Sequence, residues 1–414
     1  MGGELDDEDD EVVRLGLVAS TSPLRASAVN PAPHPAGAEN QTGVWSAPGR
    51  VNLIGEHTDY NGGLALPIAL PHRTTAAVQP RTDGLLRVSS TARPGETVVV
   101  ALDDISPTVP GDWAAYLAGV FWSLRQAGYA VPGADVQVAS AVPVGAGLSS
   151  SAALECAVAA ALSDIAGLGL LDDDTGRARL AQVCQVAEND IAGAPTGGMD
   201  QAAAMLCRPG HALRLDCRSG VTTQVPFDLE AHGLALLVID TKAPHALVDG
   251  QYAARRHTCQ QAARALGVDT LREVSPTDLP EALDRLSRLG DSVAPARVRH
   301  VVTEIARVDA FVDAVQADDF TTAGALMTAS HHSLREDYQV SCPELDLAVT
   351  TALDGGALGA RMTGGGFGGC AIALVRQERA DSIGTSVVAA FRQREWTDPV
   401  PFTVTAARGA GRGR

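Results

Sequence analysis

Of the 32 lysine and arginine residues in this 414-residue chain, a single one, Lys242, is lysine. A Walker A loop needs lysine directly after a glycine, and a protein kinase needs one on a strand of its small lobe. Lys242, in "VIDTKAPH", sits in neither context. Any phosphate handled here must therefore meet backbone amides, arginine and a metal ion. Aromatic residues are also scarce, at 4%, so alanine, valine and leucine have to fill the core. Positive charge is outnumbered: a net charge of -17 argues against nucleic acid or an anionic membrane as a partner. No apolar run reaches about 18 residues, which excludes a spanning helix on length. The start "MGGELDDEDDEVVRLG" is acidic where a secretory leader is basic and then apolar. The 7 cysteines are odd in number and hold no C-x-x-C pair, which fits reduced, mostly buried thiols in a cytoplasmic protein rather than a disulfide framework.

With 45% hydrophobic residues the chain is globular, and its length exceeds what one core supports, so two lobes are expected. Residues 1–40 run from an acidic block into a Pro- and Ala-rich stretch without periodicity and are predicted to be a mobile tail. The first lobe is placed at 41–225 and the second at 226–414. "LLRVSS" and "ETVVVAL" have strand composition, and "WAAYLAGVFWSLRQAG" has the period of a helix. Helices are expected over 149–166, 175–191, 251–266, 279–289, 296–315 and 321–335, with strands near "GHALRLDC", "TTQVPF" and "LALLVIDT". Strands and helices mix without strict alternation, which predicts an α+β fold. No internal repeat is present.

Four stretches carry polar or glycine-rich chemistry. "GRVNLIGEHTDYNGG", residues 49–63, gathers Arg50, Glu56, His57 and Asp59 where a strand ends. Its Asn61 and glycines have turn chemistry, but charged groups beside a core need partners or a ligand. "AVPVGAGLSSSAALECAVAAAL" is a strand, a loop with Gly145 and Gly147, and three serines opening a helix. One serine suffices as a cap. Several behind two glycines suit a phosphate, because a helix start exposes free N–H groups and the positive end of its dipole. A hydroxyl there also suits Mg²⁺. "AENDIAGAPTGGMDQAAAML" sets Asp200 at a helix start, where capping is the ordinary use, and Glu188 on the helix before it. "GARMTGGGFGGCAIAL" surrounds Phe367 with glycines between two strands, which implies positive φ angles or a close backbone approach.

Together these segments resemble the GHMP small-molecule kinases, and "GRVNLIGEHTDYNGG" resembles the galactokinase signature within them. The resemblance continues in order through "PVGAGLSSSAAL", "GAPTGGMDQ", "HALVDGQYAARR", "SHHSLREDYQVSCPELD" and "GARMTGGGFGGC", across residues 43–407. It implies a two-lobed fold with the active site in the cleft between lobes. It also implies phosphorylation of α-D-galactose at the anomeric hydroxyl by ATP with Mg²⁺, in a monomer. By resemblance, Glu56, His57, Thr58, Asp59, Gly197 and Tyr252 would bind the sugar, Asp200 would take the hydroxyl proton, and Arg50 would orient it and stabilise the developing charge. Gly145, Ala146, Gly147, Leu148, Ser149, Ser150 and Ser151 would hold the ATP phosphates, with Ser90 a further nucleotide contact and with Ser151 and Glu188 on Mg²⁺. The stretch around Lys242 departs from the common family wording, with Gln251 where Glu is frequent. Two alternatives stay open: a kinase for N-acetylgalactosamine or another sugar, and a galactose-sensing binding protein without catalysis. The intact "GLSSSAAL" loop favours catalysis, and the long "GEHTDYNGG" form favours galactose.

Overall fold

The structure, a computed structural model, describes residues 13–14, 42–107, 109–194, 196–243 and 250–413. The tail expected over 1–40 lies outside the described residues, apart from residues 13–14. The first half comprises β1 (Val13–Arg14), β2 (Gly43–Asn52), β3 (Leu64–Ala65), β4 (Pro67–Arg81), β5 (Leu85–Ser90), β6 (Thr97–Ala101), α1 (Ala114–Gln126), β7 (Gly133–Ser140), α2 (Ser150–Ile165), α3 (Asp174–Val186), α4 (Met199–Leu206), β8 (His211–Asp216) and β9 (Val221–Pro226). The second comprises β10 (Leu234–Asp240), α5 (Gln251–Leu266), α6 (Leu279–Arg288), α7 (Ala294–Gln316), α8 (Phe320–Ser333), α9 (Pro343–Asp354), β11 (Gly359–Thr363), β12 (Cys370–Arg376), α10 (Ala380–Gln393), β13 (Val400–Val404) and β14 (Gly411–Arg412).

A six-stranded sheet in the order β14-β2-β4-β7-β5-β6 frames the first lobe. Its pairs are antiparallel except β5 with β7. A four-stranded sheet, β11-β12-β10-β13, frames the second, and β1-β9-β8-β3 form another four-stranded sheet. Mixed pairing of this kind is the α+β arrangement expected. Helix α2 shows how the sequence builds the first lobe. Its run "SSAALECAVAAALSDI" is rich in the best helix former, and its residues are buried on nearly every side. Small side chains let it lie close on β2 and β4.

The chain's end belongs with the first sheet: β14 pairs with β2, and Arg73 on β4 donates to the carbonyls of Arg408 (2.7 Å) and Gly409 (2.9 Å). The terminal strand, within the span 226–414 read from sequence as the second lobe, thus pairs with the first sheet. The lobes also share one apolar core, in which Val51, Leu53, Leu148 and Ala153 join Val308, Phe311, Ile372 and Leu374. Among the described residues no helix is long and apolar enough to cross a membrane.

Candidate active site

At the end of β2 the pairing with β4 slips between Pro48 and Arg50, a bulge of the sort that re-aims a side chain. Arg50 is turned towards the start of α4. Its Nε and Nη2 donate to the two carboxylate oxygens of Asp200, at 2.8 and 2.9 Å, and its Nη1 donates to Gly147 O at 2.7 Å. Bidentate, charge-assisted pairing of this kind is among the stronger side-chain contacts. Asp200 is not the cap of α4: Gly198, with φ 89°, occupies that position. Ser149 adds a third bond, its hydroxyl donating to Asp200 Oδ2 at 2.5 Å. Ser149 itself sits in the left-handed region, at φ 59° and ψ 51°. That conformation costs a non-glycine residue about 1–3 kcal/mol and is held by its surroundings. One arginine thus ties the glycine loop, the carboxylate of α4 and the end of β2 into a unit.

The same cavity, of about 250 Å³, is lined by Arg50, Glu56, His57, Asp59, Gly147, Ser149, Glu188, Asp200 and Tyr252, together with Gly364, Gly365, Ala194, Thr196 and Met199. Arg50, Glu56, His57, Asp59, Ser149, Glu188, Asp200 and Tyr252, all singled out from the sequence, are therefore brought together from distant parts of the chain. Glu56 is buried, and its Oε1 accepts from Gly364 N at 2.8 Å and Thr363 Oγ1 at 3.2 Å. Burial pushes its carboxyl up, opposed by Arg361 and Arg50. Burial pushes the His57 imidazole down to about 3, so it is neutral, and its Nδ1 meets Tyr60 Oη at 2.8 Å. Its Nε2 is buried and has no partner among the described residues. Burial, then the charge of Asp200, push Asp59 up to about 6. Gly197 lies so close to Asp59 that a Cβ there would meet Asp59 Oδ2 at 2.2 Å, which explains glycine at that position. Glu188 falls on a π turn, residues 187–191, at the end of α3. Burial pushes it up to about 7, opposed by a hydrogen bond from Ser151.

Thr58 and Ser90 lie away from the cavity, and Gly145, Ser150, Ser151 and Gly197 are also not among the residues that line it. Thr58 is fully buried, with its hydroxyl on the carbonyls of Gly55 (2.8 Å) and Leu64 (2.6 Å), so its side chain closes the turn instead of facing the cavity. Ser90 ends β5 in a turn where its Oγ accepts from Ala92 N at 3.2 Å, and it does not line the cavity. Of the loop, Gly147 and Ser149 line the cavity, while Ala146 and Leu148 are buried beneath it. Sequence reasoning missed Gly364 and Gly365 as cavity residues, although the glycine cluster was the available signal. At Gly364, φ is 86° and a Cβ would meet Gly147 O at 2.8 Å, so this loop packs against the phosphate-type loop backbone to backbone. It also missed Gln201, whose Nε2 donates to Glu188 Oε2 at 2.5 Å.

Among the described residues no group of three or more His, Cys, Asp or Glu is placed to hold a metal by itself. The hard oxygen donors that are present, the Ser151 hydroxyl at the start of α2 and the Glu188 carboxyl in the cavity, suit Mg²⁺, which is commonly held by one or two carboxylates plus substrate phosphates.

Family models for the GHMP kinases N terminal domain and the GHMP kinases C terminal match residues 115–208 and 311–393. The mevalonate kinase of Methanococcus jannaschii shares the fold, with a TM-score of 0.62 at 17% identity over 90% of this chain and 100% of that one. Fold and site together define a GHMP kinase. A model of the galactokinase galactose-binding signature matches residues 36–80. The galactokinase of Streptomyces coelicolor is 50% identical over 91% of this chain and 95% of its own. The Lactococcus lactis galactokinase, solved with galactose, superposes with a TM-score of 0.84 at 31% identity, covering 91% of this chain and 96% of that one. The chain belongs to the galactokinase family.

Proposed function

We infer that the protein transfers the γ-phosphoryl group of ATP to the anomeric hydroxyl of α-D-galactose, giving α-D-galactose 1-phosphate and ADP. The observation that carries this reading is the Arg50 fork on Asp200, set in one cavity with Glu56, His57, Asp59 and Tyr252 on one side and Gly147 and Ser149 on the other. Phosphoryl transfer relies on positioning and charge stabilisation more than on covalent chemistry by the protein. Asp200 accepts the hydroxyl proton as the sugar oxygen attacks. Arg50 holds that carboxylate in place and offsets the charge that gathers at the transfer point. Glu56, His57, Asp59 and Tyr252 orient the sugar, and the loop from Gly145 to Ser151 meets the phosphates with its amides and hydroxyls. Ser151 and Glu188 would hold Mg²⁺, which when bound neutralises phosphate charge. All seven cysteines are free, which supports a reducing compartment such as the cytoplasm. ³¹P NMR of the product formed from ATP and galactose tests the reading. A phosphate coupled to the anomeric proton is expected, and a 6-phosphate would overturn it.

The raised pKa of Asp59 makes sugar binding pH-dependent. An aspartate at about 6 loses its charge, and with it its full acceptor capacity, as the pH falls through that value. The galactose dissociation constant, measured without nucleotide, should then rise by up to about tenfold per pH unit below 6. Asp59→Asn should flatten the profile. An acid limb of the same size in that variant would assign it to another group.

A further inference from the structure

Behind the Ser151–Glu188 pair, a third carboxyl lies in the apolar helix α2. Glu155, one turn on from Ser151, is fully buried and does not line the cavity. Among the described residues its hydrogen-bond partner is Gln201 Nε2, 3.2 Å from Glu155 Oε2, and the same nitrogen donates to Glu188 Oε2 at 2.5 Å. Gln201, also fully buried, follows Asp200 on α4. A single amide therefore joins two carboxyls across three structural elements.

The bonding of this trio is incomplete in an informative way. Glu155 Oε1 and Gln201 Oε1 are buried and have no partner among the described residues. A carboxylate and an amide make one bond through N–H and leave the amide oxygen beside a second acceptor. A carboxylic acid and an amide make two, acid O–H to amide oxygen and amide N–H to acid carbonyl. One proton on Glu155 would give both orphaned atoms a partner, where a buried polar group without one is destabilising. It also leaves the second N–H of Gln201 for Glu188.

We propose that Glu155 and Gln201 form a neutral acid–amide clamp that holds the Glu188 carboxyl facing Ser151, making Glu155 a positioning residue for the metal–nucleotide end of the site. The proposal rests on the reading of Ser151 and Glu188 as the cation's protein oxygens. Burial, then the neighbouring Glu188, push the Glu155 carboxyl up, the direction the clamp requires. The clamp also accounts for a glutamate within an otherwise apolar helix, where a charged group without a partner would be strongly disfavoured.

The test uses Mn²⁺ as the probe cation, its binding to the full-length protein with a non-hydrolysable ATP analogue followed by electron paramagnetic resonance. Glu155→Leu and Gln201→Met should each weaken Mn²⁺ binding by about 10- to 100-fold, the usual effect of losing a group that orients a metal ligand, with the KM for galactose unchanged. Glu155→Gln, which keeps an amide where the acid stood, should stay within about threefold of the native protein. Infrared spectra should show the carbonyl band of a protonated carboxyl in the native protein that disappears in Glu155→Gln. If Glu155→Leu does not fold, Gln201→Met and the infrared band decide. Native-like Mn²⁺ binding in Glu155→Leu or Gln201→Met, or no such band, would overturn the clamp while Glu188→Gln still weakened binding. Native-like binding in Glu188→Gln would overturn the metal assignment and the proposal with it.

Discussion

Asp200→Asn is expected to lower kcat by about 10² to 10⁴, the contribution of a positioned base, while galactose still binds. The asparagine keeps the shape of the side chain but changes both its jobs. It no longer accepts a proton from the sugar hydroxyl. It also meets Arg50 badly, because Arg50 Nε and Nη2 donate to both oxygens of Asp200, and an amide offers one acceptor and one donor there. The hydroxyl of Ser149, now 2.5 Å from Asp200 Oδ2, faces the same change. On the reading proposed above, galactose is held by Glu56, His57, Asp59 and Tyr252, so the dissociation constant should move little. Steady-state kcat and equilibrium galactose binding on the same preparation separate the two effects. A variant that retained more than about a tenth of native kcat would remove Asp200 from the role of base.

The site was legible in the sequence where chemistry is local and hidden where it depends on long-range approach. Arg50, Glu56, His57 and Asp59 stand within one short stretch, and a core segment has no use for so many polar groups without a ligand or partners. The serine-rich start of α2 was legible for the same reason, since the preceding glycines and the alanine run fix both the break and the helix. Thr58 shows the limit: adjacency to pocket residues does not decide which way a side chain turns, and its hydroxyl went to the backbone of its own turn. The packing of Gly364 on Gly147, two residues far apart in sequence, has no local signature beyond the glycines themselves. Glu155 had one, a lone acid inside "SAALECAVAAAL", and only the placement of Gln201 gives it meaning. Helix α10 is obscured for a different reason. It contains Gly384 and several β-branched residues, and its stability comes from the apolar face it buries, Ile383, Val387 and Phe391, against the second lobe.

Discrimination between galactose and glucose is expected to exceed about 10² in kcat/KM, and to depend on the wall formed by Glu56, His57 and Asp59. The two sugars differ only in the direction of the 4-hydroxyl. The wall has little freedom to adapt to that difference. Glu56 is fixed by Gly364 N and Thr363 Oγ1, and Asp59 is pressed against Gly197. The neutral His57 has its Nδ1 committed to Tyr60 and its Nε2 without a partner among the described residues. On the reading proposed above, sugar hydroxyls supply the bonds this wall lacks. A sugar that turns one hydroxyl away leaves a buried group unpaired, a loss of about 1.5–3 kcal/mol where the group is charged, and it also presses that hydroxyl where no partner stands. At about 1.4 kcal/mol per factor of ten, one stranded acceptor approaches 10² alone, and the misplaced hydroxyl carries the ratio past it. Asp59→Ala should therefore reduce kcat/KM for galactose by about 10² or more and narrow the galactose-to-glucose ratio, because the favoured sugar loses a bond the other never made. Steady-state rates with galactose, glucose and N-acetylgalactosamine on the native protein and the Asp59→Ala variant measure both. Equal kcat/KM for galactose and glucose in the native protein, or a faster reaction with N-acetylgalactosamine, would mean that this wall does not read the 4-hydroxyl, even with the phosphoryl-transfer chemistry of Arg50 and Asp200 intact.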